Sequence, residues 1–217
     1  MSVPYGEQKR ADSAPLIVGG DGITTNPFST RHIRPGAIPY IFRDGDSATP
    51  LVALLQANHW WGQIIGPHGT GKSTLLAELM PRLAITGRQP LLIELHDGER
   101  SLAAHRELLA QAHADTIVII DGYEQLSCWH KWRLRLHCRR RGAGLLVTAH
   151  ASAGLPQIAE TAVDAETAQA VLARLVSHPA AEDQAALTRA LAAHGGNLRE
   201  ALFDLYDLYE SRRRNGG

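Results

Sequence analysis

The octapeptide "GPHGTGKS", Gly66 to Ser73, constrains this chain more than any other stretch. An apolar run, Trp60 to Ile65, leads into it, and a leucine-rich helical pattern leads out. G-x-x-x-x-G-K-[ST] at a strand-to-helix junction is the pattern of a phosphate-cradling loop. Its glycines let backbone amides converge on an anion without side-chain clashes, and the helix that follows aims its positive end at the same point. Gly66, Pro67, His68, Gly69, Thr70, Gly71, Lys72, Ser73 and Thr74 are therefore expected to form a nucleotide-binding segment. Within it, Lys72 is expected to reach the β and γ phosphates, and the Ser73 hydroxyl to coordinate Mg²⁺. Lysine is scarce in this arginine-rich chain, which argues against a chance match.

The surrounding pattern supplies the scaffold such a loop needs. Thr49 and Pro50 read as a helix start before "LVALLQA". Short apolar runs recur at Pro90 to Leu95, Thr116 to Asp121 and Gly144 to Ala149, and more weakly at Gln157 to Val163. Each is bounded by turn residues, as strands buried on both faces are. Helical patterns lie between them: Ser73 to Thr86, Arg100 to Ala114 and Gln125 to Arg141. Alternation of this kind predicts right-handed crossovers and a parallel sheet. After Asp164 only helical patterns remain: Ala165 to Ser177, Ala181 to His194 and Asn197 to Arg213. The expected division is an arm over 1–48, an α/β core over 49–163 and a small helical lid over 164–217. The arm is rich in Gly, Pro, Ser and Thr; Phe28, Ile33, Ile38, Tyr40 and Phe42 are its candidate anchors, and Pro35 to Pro39 should keep it extended.

A phosphate loop needs a carboxylate on a neighbouring strand to hold the metal's water shell, and Asp121 closes "TIVIID" at the right place. With these motifs the chain resembles P-loop NTPases of the additional-strand group, which includes the AAA+ and STAND ATPases. The resemblance covers Thr49 to about Glu210, and it implies a sheet ordered 5-1-4-3-2. In many members a glutamate follows the metal aspartate, but here Gly122 stands in that place. "IIDGYEQL" is instead similar to the NACHT pattern, which makes Glu124 the residue implied to orient or deprotonate water; the bland alternative is a glutamate favoured by a helix dipole. "GLLVTAH" is similar to the strand that ends in a γ-phosphate sensor, implying Thr148 with His150 beside it, where NACHT-like members often carry arginine. "GGNLREAL", Gly195 to Leu202, is similar to the AAA+ sensor-2 segment, so that Arg199 would touch the γ-phosphate from the lid. "NPF" in the arm resembles a segment that packs over adenine, with Arg31, His32 and Ile33 as neighbours of the base or ribose. No N-K-x-D guanine-reading motif follows the core, which favours ATP.

Two further stretches carry chemistry. "CWHKWRLRLHCRRR", Cys128 to Arg141, holds both cysteines of the chain with two histidines, but Cys128 and His130 point about 200° apart on a helix, which disfavours zinc. Trp129, Trp132 and Leu136 are expected to pack on the sheet or lid. The basic residues over 131–141 are either a solvated face or a docking surface for a protein, a nucleic-acid backbone or another subunit. "HDGERS" places Asp97 and Glu99 where P-loop kinases prepare an acceptor hydroxyl, with Asp97 or Ser101 as ordinary helix caps the alternative.

Lys+Arg and Asp+Glu number 22 each, so overall charge argues for neither nucleic acid nor an anionic membrane. No apolar run is long enough to span a bilayer, and Met1 to Arg10 lacks the apolar centre of a signal peptide, so a reducing, cytoplasmic setting is expected. The leading expectation is a Mg²⁺-dependent ATPase that couples hydrolysis to a lid movement and acts through a protein partner or self-assembly. A nucleotide-gated switch with little turnover comes second, and a small-molecule kinase third.

Overall fold

A computed structural model describes residues 26–34, 36–42 and 47–215. The first 25 residues of the arm, and Pro35, lie outside them. In chain order the elements are α1 (Thr30–Ile33), α2 (Ala48–Ala57), β1 (Trp61–Ile65), α3 (Lys72–Ile85), β2 (Gln89–Glu94), α4 (Arg106–Ala110), β3 (Thr116–Asp121), α5 (Cys128–Arg141), β4 (Gly144–Ala149), β5 (Gln157–Glu160), α6 (Ala165–Leu175), α7 (Ala181–Ala193) and α8 (Leu198–Asn215). Every strand pair is parallel and the order is β2-β3-β4-β1-β5, the expected 5-1-4-3-2 read from the other edge.

β3 and β4 fill the middle of the sheet, which is why their sequences are continuously apolar rather than alternating. Successive side chains still point to opposite faces. Val118 and Ile120 join Leu134 and Cys138 of α5 in one core, while Ile117 and Ile119 join Val52 and Leu55 of α2 and Leu75 and Leu79 of α3 in the other. β1 runs beside β4 from Trp61 opposite Leu145 to Ile65 opposite Ala149, so both strands end at the same level and hand their next residues to the same space.

A third core lies among the last three helices. Leu172, Leu187, Leu202 and Leu205 from α6, α7 and α8 meet Phe28 of the arm, with Ile33, Ile38 and Ile41 packed against them. Phe28 is 4% exposed, and its ring lies edge-on to Tyr209 at 6.4 Å. Asn26 beside it donates to the Tyr206 carbonyl and to Glu210 Oε1. Tyr40 and Phe42, farther along, pack instead against the core of α2 and α3. The arm thus bridges lid and sheet, and the turn at Asn26 and the short α1 replace part of the expected extended course.

Other expectations shift for local reasons. Ser47, not Thr49, caps α2, its hydroxyl accepting from Thr49 N at 3.4 Å. The helix expected over Arg100 to Ala114 shrinks to a single 3₁₀ turn and the five residues of α4. The Arg100 carbonyl is taken by Ser127 N (3.2 Å), so it is not free to start a helix. α5 begins at Cys128 rather than Gln125, because Ser127 caps it and Tyr123–Gln125 form a separate 3₁₀ turn. That cap fixes the helix so that Leu134 and Cys138 face the sheet; Trp132, two residues from Leu134 and about 200° round the axis, therefore faces solvent. Trp129 and Trp132 are 59% and 54% exposed, contrary to the expected packing on sheet or lid.

Because Phe28 is the arm's most buried anchor in the lid, Phe28→Ala is expected to lower stability by about 3 to 5 kcal/mol. Thermal unfolding followed by circular dichroism checks this, with Leu54→Ala, an exposed position, as the near-neutral control.

Candidate functional site

The carboxyl ends of β1, β3 and β4 open into a cleft of about 890 Å³. His68 to Thr74 line its floor, Asp121, Gly122, Glu124, Thr148 and His150 its wall, and Arg199, Leu202 and Phe203 of α8 its roof. The arm closes one side with Ile33 and Ile38 to Ile41. Of the base neighbours expected from the arm, only Ile33 lines the cleft; Arg31 donates from Nε to His32 Nε2 at 2.9 Å, outside it.

The loop is a set of backbone conformations that only glycine adopts at low cost. Gly66, Gly69 and Gly71 have φ of 154°, 69° and 92°. Two of the three are also pressed by neighbours. A Cβ on Gly66 would lie 2.3 Å from Thr161 Oγ1, and one on Gly69 would lie 1.8 Å from Asn197 Oδ1. From below, Thr161, which follows β5, donates its N–H to Ile65 O (2.8 Å) and shares a 2.7 Å hydrogen bond with Thr70 Oγ1; Thr70 in turn donates to Pro67 O at 2.8 Å. From above, Asn197 abuts Gly69 while its Oδ1 accepts from Glu200 N at 3.2 Å, the capping contact that starts α8.

Lys72 extends back over the loop, and its Nζ donates to the carbonyls of Gly66 and Pro67, each at 2.7 Å. Burial draws its pKa below the usual lysine value, and the charges of Glu124 and Asp121 oppose that shift. Asp121 ends β3 beside Thr148 of β4, whose Oγ donates to its Oδ1 and accepts from Gly122 N (2.9 Å). Gly122 has φ of 82°, and a Cβ there would come within 2.8 Å of the Leu95 carbonyl. This explains why the carboxylate common in that place is absent and why Glu124, two residues on, is the one that reaches the cleft.

Glu124 has two different oxygens. Oε1 lies 3.0 Å from His150 Nε2, whereas Oε2 is shut from solvent with no hydrogen-bond partner among the described residues. His150 packs edge-on against His68 of the loop, with ring centroids 3.5 Å apart. A chain of three side chains, His68 to His150 to Glu124, therefore links loop, β4 and β3. Arg199 holds its guanidinium 5.7 Å from the Phe203 ring at the roof.

The residues fit a nucleotide with its magnesium ion. The loop offers glycine amides, a lysine and the Ser73 hydroxyl, and one carboxylate, Asp121, stands across from them. Mg²⁺ keeps most of its waters and takes few protein ligands, so a hydroxyl and a carboxylate suffice where phosphates supply the rest. Among the described residues no group of three or more His, Cys, Asp and Glu gathers to hold a metal on its own. The four side chains weighed for zinc are dispersed: Cys138 is buried with its thiol pushed up to about 12, Cys128 is exposed, His130 bonds Ser127 Oγ and His137 bonds Leu109 O. Asp97 lines the cleft but accepts from Gln125 Nε2 at 2.9 Å, and Glu99 accepts from His96 N.

Thr161 and Asn197 escaped the sequence analysis. Thr161 read as one more strand residue. Asn197 sat inside the quoted "GGNLREAL", where a helix-capping asparagine after two glycines was the available signal.

The sequence matches no protein-family model and no curated protein. Solved structures do share the fold. One is the replication initiator DnaA bound to AMPPCP and single-stranded DNA, with a TM-score of 0.55 and 14% identity, over 81% of this chain and 66% of that one. Another is the S. cerevisiae Hsp104–ADP complex, with a TM-score of 0.53 and 14% identity, over 85% of this chain and 32% of that one. The chain thus spans about two thirds of the first structure and a third of the second. Its five-stranded parallel α/β fold resembles that of AAA+ ATPase domains. Among the described residues no helix is long and apolar enough to cross a membrane.

The contact of loop and lid makes a testable pair. Ala at a left-handed position costs about 1 to 2 kcal/mol. Gly98→Ala, at φ 91° with nothing within 4 Å, is expected to show that cost alone. Gly69→Ala is expected to cost more and also to speed amide exchange in the first turn of α8, read by hydrogen–deuterium exchange.

Proposed function

We propose that this chain is a Mg²⁺-dependent ATPase of the AAA+/STAND type, in which 49–163 form the catalytic core, 164–217 the lid and 1–48 an arm over the adenine side. The observation that carries the reading is the convergence on one cleft of Lys72, Ser73, Asp121, Glu124, Thr148 and Arg199, drawn from the loop, two strand ends and the lid. The nucleotides in the two structures of similar fold, AMPPCP and ADP, are consistent with it.

Each residue then has a physical task. The amides from Gly66 to Thr74 and the α3 N-terminus hold the phosphates, and Lys72 exchanges its two carbonyl contacts for the β and γ phosphate oxygens. Ser73 and Asp121 hold Mg²⁺, which supplies neutralisation of charge on the transferred phosphoryl group. Glu124, whose Oε2 is buried without a hydrogen-bond partner, would turn that oxygen to the attacking water, orient it and take its proton. Thr148 ties the metal aspartate to β4, and Arg199 would carry the state of the γ-phosphate into the lid. Output then passes to a protein partner or a further copy of the chain, in a cytoplasmic setting.

A nucleotide-gated switch with little turnover has its own support: Glu124 Oε1 is engaged by His150, a contact that restrains the same carboxylate the water needs. The kinase reading has the weakest support: Asp97 lines the cleft with one oxygen bonded to Gln125, and Glu99 bonds His96 N and is not among the cleft's lining residues.

Phosphate release from ATP separates these readings. Lys72→Ala is expected to abolish ATP binding, and Glu124→Gln to bind ATP while losing turnover by about a hundredfold or more. Tight binding with negligible wild-type turnover would select the switch.

The histidine gives a pH prediction. Burial holds His150 below its ordinary value of 6.5; Glu124 pulls it up, and Lys72 and His68 push it down. At neutral pH the ring is uncharged. As pH falls through the lowered value, an imidazolium forms and pins the carboxylate. Turnover is expected to fall on the acid side, and His150→Gln to remove part of that fall in a pH–rate profile.

A further inference from the structure

The outer face of α5 is unused by the cleft and unlike the rest of the surface. Trp129 and Trp132 stack on each other at 5.0 Å with planes 21° apart, although both are more than half exposed. They edge a groove of about 520 Å³ between α5 and the α4 segment. Arg106, Arg133, Arg140 and Arg141 stand along it; none has a hydrogen bond or ion pair among the described residues, and no carboxylate lines the groove. The helix's other basic side chains are committed inward. Lys131 donates to the Glu124 carbonyl, Arg135 to Tyr123 Oη and Ala153 O, and Arg139 lies over the Trp61 ring. The basic side chains of α5 therefore divide into a partnered set and an unpaired set, and it is the unpaired set that lines the groove with the tryptophans.

We propose that this groove binds single-stranded DNA, with bases stacking on the Trp129–Trp132 pair and phosphates on the unpaired guanidiniums. The chain has no net charge, so this local run of cations calls for a local polyanion, and the flat exposed indoles call for aromatic rings on the same ligand. A single nucleic-acid strand carries both at every residue, whereas a duplex hides its ring faces. The sugar is read from what the groove lacks. It has no Ser, Thr, Asn, Gln, Asp or Glu side chain to pair with a ribose 2′-hydroxyl, and His130 and His137 each already bond within the protein, to Ser127 and Leu109.

The test uses the full chain without nucleotide, so its outcome stands apart from that of the ATPase reading. Fluorescein-labelled dT20 is titrated and followed by anisotropy and by tryptophan quenching. Saturable binding with quenching is expected, together with a loss of about fivefold to a hundredfold in each of Trp129→Ala and Trp132→Ala. Arg140→Gln is expected to lower the slope of log affinity against log salt by about 0.7. Both tryptophans are exposed, so the variants are expected to keep the wild-type circular dichroism, and Trp132→Phe to retain most of the affinity. No binding at low salt overturns the proposal, as do tryptophan variants that bind like wild type. Competition by polyglutamate as effective as that by dT20 overturns it in favour of an acidic protein, and rU20 binding more than tenfold tighter than dT20 overturns it in favour of RNA.

Discussion

Everything in the cleft depends on one loop held in a conformation that glycine alone tolerates, gripped from two sides. Thr161 fixes it from the sheet side through Thr70, and Asn197 meets it from the lid at Gly69. Backbone amides bind an anion well only when they are preorganised, because any reorganisation on binding is subtracted from the interaction. The two clamps supply that preorganisation. They also couple it to tertiary structure: the loop's upper contact is the first residue before α8, so the conformation of the loop and the docking of α8 are one mechanical unit.

A second constraint is the register of the parallel sheet. Because Ile120 of β3 pairs with Val147 of β4, Asp121 falls beside Thr148, and the turn after β3 is forced past the Leu95 carbonyl by a left-handed glycine. That turn delays the next carboxylate by two residues. It brings Glu124 to His150, and His150 to His68 in the loop itself. The charge that would activate water is thus wired to the phosphate loop through two imidazoles, a link that leaves one carboxylate oxygen occupied and the other bare.

The arm adds a third element. Phe28 is sunk in the lid and Tyr40 and Phe42 rest on the sheet's helices, so one strand of chain spans the joint between the two bodies and lines the cleft along the way. Any movement of the lid must be accommodated by this strap.

How much of this was written in the sequence follows from the range of the interactions. The loop motif, the strand runs and the carboxylate at the end of β3 were legible because local periodicity and backbone sterics fix them within a few residues, and the sheet order followed from the resemblance those motifs carry. What the sequence could not decide was set by contacts between distant segments: Thr161 is 91 residues from Thr70, and Asn197 meets a glycine that carries no side chain to advertise the encounter. α5 starts at the Ser127 cap and is seated with Leu134 and Cys138 on the sheet, which leaves two tryptophans in water. Spacing along a helix tells which side chains share a face; only the tertiary structure tells which face is buried, since that depends on where the helix is seated on the sheet.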